Sequence, residues 1–313
     1  MASRSKLLLP LILFFGAATA AQASENPMDA ANVLYRNGRY KEALGVYIKV
    51  KATYPGTDWE SMSYLMTARC YEKTKDTDDA LHEYRAIIGK FPKASIAEEA
   101  YFAVARIRAE KGLSAEAISA YRSYLKNYPM GGFRPMALFN IALLFRDKGD
   151  DKSALDSFAL ILKDYPSEQW FYSWSAIYSG HIYMAKKDYD DAIDSYQRVI
   201  NRADNKFLYN LSSLFRAQAF MEKKDYSTSV AIFQKLLQEN NYFAEEALYG
   251  MGKAHYKAAE FDLAKESFET MLQLFPDTAW KKDVNEKLKT IEKRIKTQRE
   301  AEQKEDLKAG SGE

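Results

Sequence analysis

The chain is short of the residue types that most catalytic chemistry and covalent stapling require. Its 313 residues include one cysteine and three histidines. The single cysteine, Cys70, excludes an intramolecular disulfide and leaves no cysteine pair for a zinc site. His82, His181 and His255 stand far apart, without the ligand spacing of a metal centre. His82-Glu83 begins like a zinc-protease motif but lacks a second histidine four residues after the first. Gly250-Met251-Gly252-Lys253 has the glycines of a phosphate loop, yet it falls inside a helical pattern where packing accounts for Gly252. No nucleophile elbow, carboxylate pair or Ser–His–Asp order stands out. The expectation is a protein with no catalytic residues, no cofactor and no metal.

Glycine (14) and proline (8) are also sparse, which suits a helical protein. Only one long apolar run exists, at the N-terminus. Arg4 and Lys6 precede the apolar stretch Leu7–Phe15, and Ala21-Gln22-Ala23 offers small residues before Ser24. Residues 1–23 therefore read as a secretory signal; the run is too short, and broken by Pro10, for a comfortable membrane span. Ser24 stands where a lipidated protein would need cysteine, so the expected product is exported, periplasmic or outer-membrane associated, and not lipidated. Removing that segment leaves 43 basic and 43 acidic residues. A neutral chain has no global attraction to nucleic acid or an anionic membrane, and neither is expected as a partner.

What the chain does have is a repeat. Seven times a small residue is followed twelve positions later by Ala or Ser, and four positions after that by an aromatic. The small residues are Ala31, Ala68, Ala105, Ala142, Gly180, Ala217 and Gly252. Their partners are Ala43, Ala80, Ala117, Ala154, Ala192, Ser229 and Ala264, spaced by 37, 37, 37, 38, 37 and 35 residues. The aromatics are Tyr47, Tyr84, Tyr121, Phe158, Tyr196, Phe233 and Phe268. Pro55, Pro92, Pro129, Pro166 and Pro276 close five of the units. Such self-similarity marks an array of helix pairs. Helix A carries the small residue where helix B approaches, and the aromatic fills the gap between units. Gly38, Gly112 and Gly149 supply turns that end helix A, and proline stops helix B. The array is expected over residues 24–278. Trp280, Val284, Leu288, Ile291 and Ile295 then form one helical stripe, expected to cap the array over residues 279–300, with a disordered tail over 301–313.

This unit resembles the tetratricopeptide repeat, and the whole chain is similar to an all-α, right-handed α-solenoid of about seven such pairs plus a cap. The resemblance implies a protein or peptide partner held by the helix A face. Carried over position by position, it gives a candidate groove of Phe139, Leu143, Arg146, Trp174, Ile177, His181, Leu214, Gln218 and Tyr249. Two readings stand for these side chains: groove lining, or packing between adjacent A helices. Earlier in the array the same face carries Arg36, Arg69 and Arg106, a basic lining. Trp170, Phe171 and Tyr172, where the spacing slips, form a candidate aromatic cluster: partner anchors or an inter-repeat plug. The family's clamp for a chaperone's C-terminal carboxylate does not map, since Leu65, Phe102 and Phe139 occupy its positions.

The segments KFPKASIAEEAYFAVARI and NYPMGGFRPMALFNIALLF, with their Phe-Pro and Tyr-Pro closures, are similar to the bacterial envelope subgroup of BamD-like and Tol–Pal-associated repeat proteins. That likeness implies a non-catalytic scaffold in assembly or export of envelope components, with an envelope assembly complex as the partner class. A carrier for a peptide client, or an accessory subunit tethering a polysaccharide- or peptidoglycan-processing enzyme, is the alternative.

Overall fold

The computed structural model describes residues 26–238 and 242–310. The signal reading of residues 1–23 lies outside the described residues. Fifteen α-helices and no strand occur among the described residues. The first of two compact units ends at Ile107. It holds α1 (Asp29–Arg36), α2 (Tyr40–Thr53), α3 (Asp58–Thr74), α4 (Thr77–Lys90) and most of α5 (Ile96–Glu110). The second unit begins at Arg108. It contains α6 (Ser114–Asn127), α7 (Arg134–Asp147), α8 (Asp151–Asp164), α9 (Gln169–Lys186) and α10 (Tyr189–Ile200). It continues through α11 (Lys206–Glu222), α12 (Tyr226–Gln238), α13 (Ala244–Lys257), α14 (Phe261–Leu274) and α15 (Lys281–Gly310). Odd-numbered helices up to α13 are helix A of a repeat, and even-numbered ones helix B. The expected α-solenoid class is the one found.

The small anchors are where helices touch. Ala31, Ala68, Ala105, Ala142 and Ala217 have no exposed surface, and the seven anchoring aromatics are all buried. The two glycine anchors show why size matters. A Cβ on Gly180 would lie 2.5 Å from the Tyr196 ring, and one on Gly252 would lie 2.6 Å from Phe268. Each aromatic thus seats on the small residue of its own repeat. It also reaches the next repeat: a Cβ on Gly250 would meet Phe233 at 2.4 Å. Ser229 is accommodated at its crossing because its hydroxyl donates to the Ala217 carbonyl at 2.8 Å.

Helix A ends in a left-handed residue in every repeat. Gly38, Gly112 and Gly149 fill that place with φ near +76°, as their sequence positions suggest. The other four repeats put Lys75, Lys187, Lys224 and Ala259 there, with φ between 62° and 72°. A side chain in this region costs about 1–2 kcal/mol. The turn offsets it by satisfying helix-end carbonyls, as in Lys75 N–H to Glu72 (3.1 Å) and Asp76 N–H to Tyr71 (2.9 Å).

In the second unit each A helix also meets the next one, α7 with α9, α9 with α11 and α11 with α13. The last repeat is covered by α15, whose Val284 and Ile291 are fully buried against Phe268 and Met271. One boundary is corrected. The helix runs to Gly310, so residues 301–310 are helical and not the expected tail. The apolar stripe does end near Ile295, but Glu, Lys, Gln and Ala are strong helix formers. Spaced pairs such as Lys296–Glu300 (3.9 Å) and Gln298–Glu302 (3.2 Å) add to this. Residues 311–313 lie outside the described residues.

Cys70 packs in the cluster of Ala31, Ala43 and Tyr47. Burial pushes its thiol up to about 11, so the thiolate required for redox chemistry is disfavoured there.

Candidate functional site

Helix α9 is the most aromatic element of the second unit. Trp170, Trp174, Tyr178 and His181 recur at i, i+4, i+8 and i+11, which places them along one face. Their rings follow one another at 6.3 Å (Trp170–Trp174), 6.0 Å (Trp174–Tyr178) and 6.3 Å (Tyr178–His181). Phe215 of α11 extends the row, 4.6 Å from His181. From α7, Phe139 meets Trp170 at 5.2 Å and Phe171 at 5.8 Å, so the expected aromatic cluster and the start of the expected groove are one surface. Leu143 packs against the same cluster. The Arg146 guanidinium lies 4.7 Å over Tyr178 and pairs with Asp147 at 2.8 Å. Trp170 is 55% exposed.

His181 closes this row as a polar pivot. Its Nδ1 lies 2.9 Å from the Tyr196 hydroxyl. Burial, and then the Arg146 charge, hold its pKa below the usual histidine value. It is therefore neutral at pH 7 and adds a hydrogen-bonding edge, not a charge.

The other expected groove residues divide into two groups. Phe139, Tyr172, Ile177 and Leu214 are buried, which corrects their placement on an open surface. Ile177 packs with Ala176, Val199 and Leu208; Leu214 packs with Ala217, Phe233 and Leu236. The reason is geometric. Helix A has its own helix B, the previous helix B and the next helix A around it, so three sides are covered and only a narrow strip stays open. Tyr172 lies under the Arg202 guanidinium at 4.6 Å. Gln218 and Tyr249 remain partly open, but in a separate pocket of about 300 Å³ shared with Met184, Met221 and Trp280. There Tyr249 stacks flat on Trp280 (4.9 Å, 15°) and donates to Asp283 at 2.7 Å. Burial and that carboxylate push its hydroxyl up to about 12.

The basic lining expected in the first unit is corrected too. Arg69 pairs with Glu99 at 2.7 Å and Arg106 pairs with Glu72, each joining neighbouring A helices. Their charges are spent within the array.

A further row has a sequence signature outside the repeat pattern read above. Trp59, Ile96, Phe133, Trp170, Phe207, Phe243 and Trp280 fall at intervals of 37, 37, 37, 37, 36 and 37 residues, at the start of helix A or of the cap. Phe207 rests on Phe243 at 5.6 Å in the second unit. A second periodicity, offset from the small anchors, would have found them.

Among the described residues no group of His, Cys, Asp or Glu is placed to hold a metal, and no described helix is long and apolar enough to cross a membrane. A family model for a tetratricopeptide repeat-like domain matches residues 72–211, and a tetratricopeptide repeat model matches residues 246–278. No curated protein matches the chain. Among solved structures, the C-terminal part of a TPR repeat-containing protein from Cytophaga hutchinsonii is 19% identical. It covers 82% of this chain and 98% of that one, with a TM-score of 0.64. The apo form of RapI is 12% identical over 85% of this chain and 80% of its own, with a TM-score of 0.59. A chain of the Naa15/Naa10 complex bound to HypK-THB is 15% identical over 85% of this chain and 39% of its own, with a TM-score of 0.53. At these identities the likeness is one of fold. The repeat anchors, their burial, the two family models and these neighbours agree: the chain is a tetratricopeptide-repeat protein.

Proposed function

We propose that this protein is a non-catalytic scaffold of the bacterial cell envelope, exported by its N-terminal signal and acting in assembly or export of envelope components. One observation carries the binding site: the open aromatic strip of α9, with Trp170 more than half exposed beside Trp174 and Tyr178. Large aromatics bury much area at low entropic cost, which makes them common anchors of protein interfaces. A strip one helix wide, rimmed by Arg146, suits an extended or helical segment with apolar anchors. The envelope assignment rests on the signal reading and on the resemblance of the closing motifs to envelope repeat proteins.

Capture of partners from an envelope extract with the wild-type chain and with Trp170→Ala/Trp174→Ala tests the site. The variant is expected to lose capture by at least about 10-fold, since each hot-spot aromatic contributes about 2 kcal/mol or more. Its helical content and melting temperature should stay close to wild type. Equal capture by the folded variant rejects α9 as the contact. N-terminal sequencing of the exported protein should begin at Ser24 or Ala21, with no acyl chain; a retained Met1 rejects the compartment.

A further inference from the structure

One position in helix A follows each small anchor directly: Asn32, Arg69, Arg106, Leu143, His181, Gln218 and Lys253. In the first unit its polar occupants all have a partner. Asn32 accepts from the Tyr47 hydroxyl at 2.7 Å, Arg69 holds Glu99, and Arg106 holds Glu72. In the second unit His181 meets the Tyr196 hydroxyl. Lys253 departs from this. It forms no ion pair with a described carboxylate, and its ammonium lies 5.4 Å over the Tyr249 ring.

The carboxylates that could serve it are engaged elsewhere. Asp283 stands three residues after Trp280, as Glu99 stands three after Ile96, so it is the counterpart of the residue that holds Arg69. Asp283 instead accepts from the Tyr249 hydroxyl (2.7 Å) and pairs with Lys287 (3.2 Å). Glu222, on α11, is taken by Lys257 at 2.7 Å. Burial, Lys257 and Lys287 together outweigh Glu222 and Asp283, and hold the Lys253 pKa below the ordinary lysine value. The cation is short of negative charge.

Lys253 also lines two cavities. One, of about 410 Å³, lies among α13, α14 and α15 and includes Tyr256, Lys257, Phe268 and Lys287. The other is the pocket of about 300 Å³ walled by Met184, Met221 and Trp280. A charge-seeking cavity and a largely apolar one thus share a single ammonium.

We propose that Lys253, flanked by Lys257 and Lys287, docks a carboxylate of a partner peptide, whose adjoining apolar side chain enters the pocket of Met184, Met221 and Trp280. The carboxylate that Glu99 supplies within the chain to Arg69 is supplied here by the partner. This deepens the scaffold reading and rests on it. Glu286 lines the same cavity and opposes an incoming anion, so it sets an upper limit on affinity.

The test is calorimetric titration of the full exported chain with blocked hexapeptides carrying a central Leu-Glu or Leu-Gln. The Leu-Glu peptide should bind about 10-fold tighter, because a charge-assisted hydrogen bond is lost in its amide twin. Lys253→Met should abolish that preference and Lys253→Arg should keep it, with folding of both checked by circular dichroism. Glu286→Gln should tighten the Leu-Glu peptide about 2-fold. A peptide with a free C-terminus and no internal acid, compared with its amide, separates a terminal carboxylate from a side-chain one; preference for either supports the site. Equal binding of the Leu-Glu and Leu-Gln peptides overturns the anion site while leaving the α9 strip to its own capture experiment. An unchanged preference in folded Lys253→Met also overturns it, as does absence of binding by every peptide.

Discussion

In the first unit the helix A surface is held by charge; in the second it is held by rings. Arg69–Glu99 and Arg106–Glu72 tie neighbouring A helices before Ile107, and Lys51 holds Glu83 between α2 and α4 at 2.8 Å. After Arg108 the comparable positions carry Leu143, His181 and Gln218, with Trp170, Trp174 and Tyr178 along α9. The anchors beneath are of one kind in both, an Ala or Gly under an aromatic. The repeat therefore prescribes the crossing and leaves the neighbouring helix positions free. In the first unit that freedom closes the surface on itself; in the second it leaves apolar area and one lysine open to a partner.

If the cores are equivalent, Tyr84→Ala in the first unit and Phe158→Ala in the second should each destabilise by about 3–5 kcal/mol. Both side chains are almost wholly buried. Urea unfolding of the two variants checks this, and a loss below about 1 kcal/mol in one of them would break the comparison at its base.

A smaller effect separates alanine anchors from glycine anchors. Ala68 and Ala105 already carry a Cβ at the crossing, whereas Gly180→Ala would force one to 2.5 Å from Tyr196. The Tyr196 ring must shift, at an expected cost of about 1–3 kcal/mol. A thermal melt unchanged by the substitution would mean that glycine and alanine crossings are interchangeable.

The smallest effect belongs to the surface charges. A double-mutant cycle on Arg69 and Glu99, both partly exposed, should give a coupling of about 0.2–1 kcal/mol that shrinks as salt is raised. Coupling well above that range would make the charged surface a structural element on a par with the core, and the contrast with α9 would need restating.

Much of the fold was legible in the sequence, because a helix crossing accepts only a small residue and that requirement recurs at each repeat. The anchors Ala31 through Gly252, the glycine turns and the cap stripe from Trp280 to Ile295 all lie where the pattern puts them. The left-handed turns at Lys75, Lys187, Lys224 and Ala259 were not legible, since neither residue type signals positive φ. The helical stretch beyond residue 300 was hidden because the apolar stripe stops while helix propensity continues. The site was read in part. Trp170, Phe171 and Trp174 came out of their clustering, and Leu143, Arg146 and His181 out of their register. Ile177 and Leu214 were placed on the wrong side, and Tyr178 and Phe215 were missed.

The sequence by itself determined the repeat, its length, the residues at each crossing and the type of protein, since these depend on local spacing and on side-chain volume. The tertiary structure alone decided which helix A residues are core and which are surface. It also decided that Arg69 and Arg106 are neutralised while Lys253 is not. The physical reason is that a helix A side chain is covered by three neighbours whose approach is set by crossing angle. An ion pair likewise depends on which residue, some 30 positions away, the next helix brings within reach.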